Sequence, residues 1–187
     1  MLSKLYQFLN YVGMLKRTRR RGWLCYVLPD ESVADHTFRV SVLAMIIADI
    51  VREESVAVNI ETILRMSLIH DLPEALIGDM DRGATEVVGE NLKLEFESKA
   101  LAKILGDLPK GLQESYGKIW KEYEAGVTRE SKIVKAADKL ETIIQAHELA
   151  SAGYSRKFLD ELLANTETWK KELPTDLQEL LDEFKVK

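Results

Sequence analysis

The sequence predicts an all-α protein, a single-domain helical bundle. Three observations carry that expectation. Apolar residues recur at three- and four-residue spacing along nearly the whole chain, the signature of helices with one buried face. No segment sustains the apolar–polar alternation of a half-buried strand. Glycine and proline, the main punctuators of strand-and-turn proteins, number only 10 and 4 in 187 residues. A chain of this length can form one domain over 1–187 and bury roughly 70% of its unfolded surface, so its core needs no disulfide or structural metal.

Leu2, Leu5, Tyr6, Leu9 and Val12 outline a first helix ending near Gly13. Residues 15–31, with a basic run, Gly22 and Pro29, read as a long irregular connection, which in a compact domain usually serves function. Ser32-Val33-Ala34-Asp35 has the form of a capping box with Asp in the acidic position, and opens a helix running to about Arg52. A third helix covers about 59–71, where Pro73 interrupts it. Gly78, Asp79, Asp81 and Gly83 mark a loop over 77–85. Helices are expected at roughly 87–105, 110–124, 129–151, 155–164 and 166–183, the last with an amphipathic pattern from Leu173 through Leu177 and Leu181 to Phe184.

Composition excludes several classes. The net charge of −5 argues against a general nucleic-acid binder, which would present a basic face. No stretch reaches 18 consecutive apolar residues, so no membrane span is expected. The first residues lack a basic segment followed by an apolar core and cleavage site, which leaves a cytoplasmic location as the expectation. Cys25 is the only cysteine and is expected to be a packed, inert thiol. One local exception to the acidic balance is Lys16-Arg17-Thr18-Arg19-Arg20-Arg21, five positive charges in six residues ahead of Gly22-Trp23. Such a cluster is either a solvated loop or an anion site.

Polar residues on apolar stripes point further. His36 interrupts the stripe Val33, Val40, Leu43, Ala44, Ile47. The next stripe, Ile60, Ile63, Leu64, Ser67, arrives at His70 and Asp71. Burying imidazole and carboxylate is costly unless each is hydrogen-bonded or metal-bound, and that pair of ligand types suits a divalent ion such as Mn, Co, Fe, Zn or Ni. Asp138 sits at the edge of the stripe Ile133, Ala137, Leu140, Ile144, on the line of Val134, Glu141 and Gln145, and periodicity alone makes it a surface carboxylate. His147 continues that stripe and reads as structural.

These residues, in the order His36, His70-Asp71, Asp138, resemble the His … His-Asp … Asp pattern of the HD-domain superfamily of metal-dependent phosphohydrolases. The surrounding segments 20–23, 31–36, 70–79 and 134–138 are similar to its 5′-deoxynucleotidase branch, and Ile119-Trp120-Lys121-Glu122-Tyr123-Glu124 resembles that branch without supplying a ligand. The resemblance implies an HD-type helical bundle with one divalent cation, Co²⁺ or Mn²⁺ or similar, held by His36, His70, Asp71 and Asp138. It implies Glu74 as the residue that activates or positions the attacking water, and Asp79 as a sugar contact. Trp23 would shape the sugar pocket against a 2′-hydroxyl, and an arginine before it would hold the phosphate. Gly22 stands directly before Trp23 here, so Arg20 is the first candidate and Arg21 the second. The implied substrate is a nucleoside 5′-monophosphate, most specifically a deoxyribonucleotide, and the implied assembly is a homodimer.

The chemistry suits these residue types. A divalent cation acidifies water and polarises a phosphoryl oxygen, and a guanidinium offers forked donors with a fixed charge. Two other readings stay open at this point: another HD-type reaction such as cyclic-nucleotide phosphodiester hydrolysis, and a non-catalytic, metal-stabilised interaction module. A di-iron oxygenase fits less well, because no histidine follows His70 until His147.

Overall fold

The computed structural model describes residues 2–183, and every described regular element is a helix. The first is α1 (Leu2–Met14), followed by the long connection. That connection is not wholly irregular: it contains a short helix, α2 (Arg21–Cys25), which periodicity over five residues cannot reveal. Its two ends are tied together. Arg19 and Ser32 form an antiparallel bridge, Arg20 N donates to Glu31 O at 3.0 Å, and Val33 N donates to Thr18 O at 2.9 Å. The basic run is thereby held as a closed loop over the start of the next helix.

That helix, α3 (Val33–Glu53), begins with the expected capping box. The Ser32 hydroxyl accepts from Asp35 N, and Asp35 Oδ2 accepts from Ser32 N, each at 3.1 Å, so two otherwise orphaned amides are satisfied. Asn59 caps α4 (Ile60–Ile69) through Thr62 N. The chain then turns through His70–Pro73 into α5 (Glu74–Ile77). Asp81 caps α6 (Arg82–Val88) by accepting from Ala84 N at 2.8 Å, so the expected loop over 77–85 gives way to helix at its C-terminal half. Gly89, at φ 84°, separates α6 from α7 (Glu90–Leu105), a left-handed position that favours glycine.

The remaining elements are α8 (Lys110–Ala125), α9 (Arg129–Ser151), α10 (Lys157–Lys170) and α11 (Thr175–Glu183). The expected break between helices near residue 165 is absent. Asn165 and Thr166 turn their side chains onto Glu161 O and Leu162 O within one continuous α10, and the break falls instead before Pro174. Leu177 of the C-terminal amphipathic pattern is buried, whereas Phe184 lies outside the described residues.

The helix α3 packs along both α4 and α9. Val40, Ala44, Ile47 and Ala48 meet Ile63 and Met66 of α4 and Ile133, Ala136 and Ala137 of α9, all essentially inaccessible. The alanines allow close backbone approach, and each large aliphatic side chain buried here contributes roughly 1.5–3 kcal/mol. A second cluster joins Leu15, Val33, Leu72, Ile104 and Trp120, and a third joins Trp23, Leu28, Ile143, Leu149 and Leu159. The polar residues of α3, of the end of α4 and of α9 meet at the junction of these three helices. No helix among the described residues is long and apolar enough to cross a membrane. Cys25 corrects an expectation: it is exposed rather than packed, because it ends the short α2 at the rim of a cleft, where its Sγ donates to Asp81 Oδ2 at 3.1 Å.

Candidate metal centre and active site

Four polar side chains converge at the junction of α3, α4 and α9. His36, one turn into α3, is fully buried, and His70 follows the last turn of α4 at 3% exposure. His36 Nε2 stands 3.6 Å from Asp71 Oδ2 and 3.1 Å from Asp138 Oδ1, while His70 Nε2 stands 3.2 Å from Asp71 Oδ2. One ligand atom each from His36, His70 and Asp71 can be chosen within 4.8 Å of one another, a grouping a single ion can join. His70 and Asp71 face the same point because the helix has already loosened into a turn before Pro73, which relieves the 100° offset of neighbouring helical residues.

Both imidazoles are oriented from behind. His36 Nδ1 donates to Glu141 Oε2 at 2.5 Å, and His70 Nδ1 donates to Ser67 O at 2.7 Å. Each Nε2 therefore faces the cluster, and His36 Nε2, His70 Nε2 and Asp71 Oδ2 are buried with no hydrogen-bond partner. Buried polar atoms without partners are rare and call for an explanation. Nitrogen and carboxylate donors aimed at one point fit a divalent cation. The electrostatics agree. Burial and Arg20 lower the affinity of His36 for a proton, but the carboxylates of Asp138 and Glu141 outweigh them and carry its pKa up to about 9. Burial opposes ionisation of Asp71, yet the charges of His70 and His36 hold it at about 2. The centre is an anionic pocket that favours positive charge.

Asp138 was legible only as a surface residue on periodicity, and the structure turns it inward: its side chain is 17% exposed and lines a cleft of about 900 Å³. The cleft wall continues through Arg20, Trp23, Glu74, Asp79 and Thr142. Arg20 Nη2 donates to Thr142 Oγ1 at 3.0 Å, and Nη1 lies 3.9 Å from Asp71 Oδ2. Burial works against its charge, but Asp71 and Asp138 raise its pKa further above the ordinary arginine value. The guanidinium of Arg21 turns the other way, toward Asp81 at 3.7 Å, and is 57% exposed; only its backbone N–H reaches Asp79 Oδ2, at 2.6 Å. Arg19 pairs with Asp30.

Trp23 is buried, its Nε1 donates to Glu31 Oε2 at 2.5 Å, and its ring meets Phe158 edge-on at 4.9 Å. Glu74 is buried, with Oε2 unpartnered. Burial, reinforced by Asp71 and Asp79, pushes its carboxyl well above the ordinary range. Asp79 is also raised, by burial, with Arg20 pulling the other way. A buried carboxyl whose affinity for a proton is raised, beside a site rich in charge, is suited to proton transfer.

Sequence reasoning passed over several residues. Glu141 is fully buried behind His36; its only signal was its place one turn after Asp138 at the edge of the same stripe. Trp120 Nε1 donates to His70 O at 3.1 Å, and Tyr123 stacks edge-on to the His70 ring at 5.4 Å, which gives the 119–124 segment its purpose as the wall that seats His70. Phe158 and Leu162 of α10 line the cleft far from the motifs in sequence, and nothing local marks them. His147 is half-buried with Ser151 Oγ 3.5 Å from its Nδ1, away from the cleft lining.

Comparison with known proteins places this geometry. The HD domain matches residues 12–180. The 5′-deoxynucleotidase HDDC2 of Danio rerio is 36% identical over 167 residues, spanning 89% of this chain and 80% of that protein. Its counterpart of the same name in Homo sapiens is 37% identical over 145 residues, 77% of this chain and 67% of that protein. Among solved structures, a conserved hypothetical protein from Pyrococcus furiosus superposes with a TM-score of 0.81 at 35% identity, covering 94% of this chain and 96% of that one. With the match running across the three segments that carry His36, His70-Asp71 and Asp138, the chain belongs to the HD-domain family.

Proposed function

We propose that this protein is a metal-dependent phosphohydrolase acting as a 5′-deoxynucleotidase, converting deoxyribonucleoside 5′-monophosphates to deoxynucleoside and phosphate. The observation that carries the reading is that His70, Asp71 and the guanidinium of Arg20 line one cleft, with the unpartnered Nε2 of His36 buried 3.6 Å from Asp71 Oδ2. The activity named for its relatives in fish and human supports the substrate class.

In this reading His36, His70, Asp71 and Asp138 hold one divalent cation, with Co²⁺ or Mn²⁺ the first to try. When bound, such an ion supplies Lewis acidity to the phosphate and acidifies water. Arg20 binds the phosphate, its charge locked on by the surrounding carboxylates. Glu74 holds or accepts the proton of the attacking water. Asp79, fixed by Arg21 N, accepts from a sugar hydroxyl. Trp23 has already committed its one donor to Glu31, so its ring offers a 2′-hydroxyl no hydrogen bond. A hydroxyl left without a partner there costs about 1–3 kcal/mol, roughly ten- to a hundredfold against ribonucleotides.

The chain is further read as one domain and as a cytoplasmic protein without a nucleic-acid partner. Support comes from Trp169, which packs on two of the three apolar clusters, from the absence of a possible intrachain disulfide, and from the net charge of −5. A homodimer is proposed on the apolar stripe Phe38, Met45 and Ile46 left exposed on the outer face of α3.

The test is phosphate release from the four common deoxyribonucleoside 5′-monophosphates, their ribose counterparts and cyclic nucleotides, with Co²⁺ or Mn²⁺ added. Turnover of several deoxyribonucleotides, lost in Asp138→Ala, is expected. No release from any monophosphate refutes the reading, and preferential cleavage of a cyclic diester replaces it with phosphodiester hydrolysis.

A further inference from the structure

Glu141 is a charged side chain with no exposure at all, on the side of His36 away from the cleft. An isolated carboxylate in such a place costs several kcal/mol, so its partners must account for it. Its Oε2 accepts from His36 Nδ1 at 2.5 Å, and its Oε1 accepts from Arg39 Nε at 2.9 Å, with Nη2 at 2.8 Å. Arg39 does not need it. That guanidinium is 30% exposed and already donates to Glu148 Oε2 at 2.8 Å and to Gln145 Oε1 at 2.5 Å. His36 has no other Nδ1 acceptor, and it is wholly buried. The two imidazoles of the centre thus differ: His70 leans on a neutral backbone carbonyl, His36 on a carboxylate.

We propose that Glu141 is the positioning residue of the metal centre, fixing the His36 tautomer with Nε2 toward Asp71 and Asp138 and strengthening that nitrogen as a ligand, while Arg39 only anchors the carboxylate. The inference rests on reading His36 as a metal ligand. A carboxylate behind a ligating imidazole orients the ring and raises its basicity, and its loss typically weakens metal binding roughly 10- to 100-fold. Arg39 draws on the same carboxylate from the opposite side, so removing Arg39 leaves the charge directed at His36 undiminished. A merely structural network predicts something else: both substitutions would loosen the α3–α9 contact and leave ion binding alike.

The experiment is Co²⁺ titration of the full chain by calorimetry and by visible absorption, for the wild type, Glu141→Gln, Arg39→Met and His36→Ala, with melting temperatures alongside. Glu141→Gln is expected to bind Co²⁺ roughly 10- to 100-fold more weakly with an altered spectrum. Arg39→Met is expected to bind it as tightly as the wild type or more so. Wild-type affinity and spectrum in Glu141→Gln overturn the proposal. If Glu141→Gln does not fold, a loss of about tenfold or more in Arg39→Met overturns it instead, since His36 would then depend on the arginine. If the wild type binds no Co²⁺, or His36→Ala binds it equally well, the metal centre itself is refuted and the role of Glu141 falls with it.

Discussion

Arg20 and Arg21 are neighbours of identical chemistry, and the structure assigns them opposite surroundings. Consider Arg20→Met, which keeps most of the aliphatic stem and removes the guanidinium. In the protein that group is 16% exposed, donates to Thr142 and faces a cleft lined by Asp71, Glu74, Asp79 and Asp138. A hydrogen bond to a charged partner contributes about 1.5–3 kcal/mol, and a guanidinium can offer a phosphate two, for about 3–6 kcal/mol in all. At 1.36 kcal/mol per tenfold, kcat/KM on a deoxyribonucleoside monophosphate should fall roughly 10²- to 10⁴-fold. Arg21→Met removes only a half-exposed pair with Asp81, worth about 0–1 kcal/mol, and should cost less than about fivefold. The assay is initial-rate phosphate release at substrate well below KM with Co²⁺ present, with a melting curve to verify folding. A fall of under about tenfold for a folded Arg20→Met, or equal effects of the two substitutions, refutes the assignment.

Two further outcomes follow from local geometry. Ser32→Ala removes the hydroxyl that accepts from Asp35 N at the start of α3 and should destabilise the protein by about 1 kcal/mol, lowering Tm by roughly 2–4 °C in thermal unfolding; no change would mean that solvent caps α3 equally well. The thiol of Cys25 is raised above its ordinary pKa, first by its hydrogen bond to Asp81 and then by the slight burial there, because a carboxylate acceptor favours the neutral donor. Raising the pKa means less thiolate at a given pH, so Asp81→Asn, which can still cap α6, should speed iodoacetamide labelling near pH 8; unchanged or slower labelling would refute the reading.

How much of this was legible in the chain depends on whether the signal was local. The capping box at Ser32–Asp35, the stripe carrying His36 and the stop at Pro73 are statements about a few consecutive residues, and the structure realises them directly. The helix α2 and the helical second half of the 77–85 segment escaped because each spans too few residues for a 3.6-residue period to emerge. The boundary expected near residue 165 is absent because the Asn165 and Thr166 side chains bond backbone carbonyls inside one continuous helix.

By itself, then, the sequence determined the helical class, the inward aim of His36, His70 and Asp71, and, through the motif segments, the kind of family to which the chain belongs. Periodicity reports which side of a helix a residue occupies, and nothing more. Whether the edge of a stripe meets solvent or another helix is a property of the packed bundle. That is why periodicity left Asp138 a surface carboxylate and the motif resemblance could only rank Arg20 before Arg21. The packed bundle puts Asp138 in the cleft wall and turns the two guanidinium groups to different partners. It also buried Glu141 behind His36, a pairing across 105 residues that exists only once α3 lies against α9.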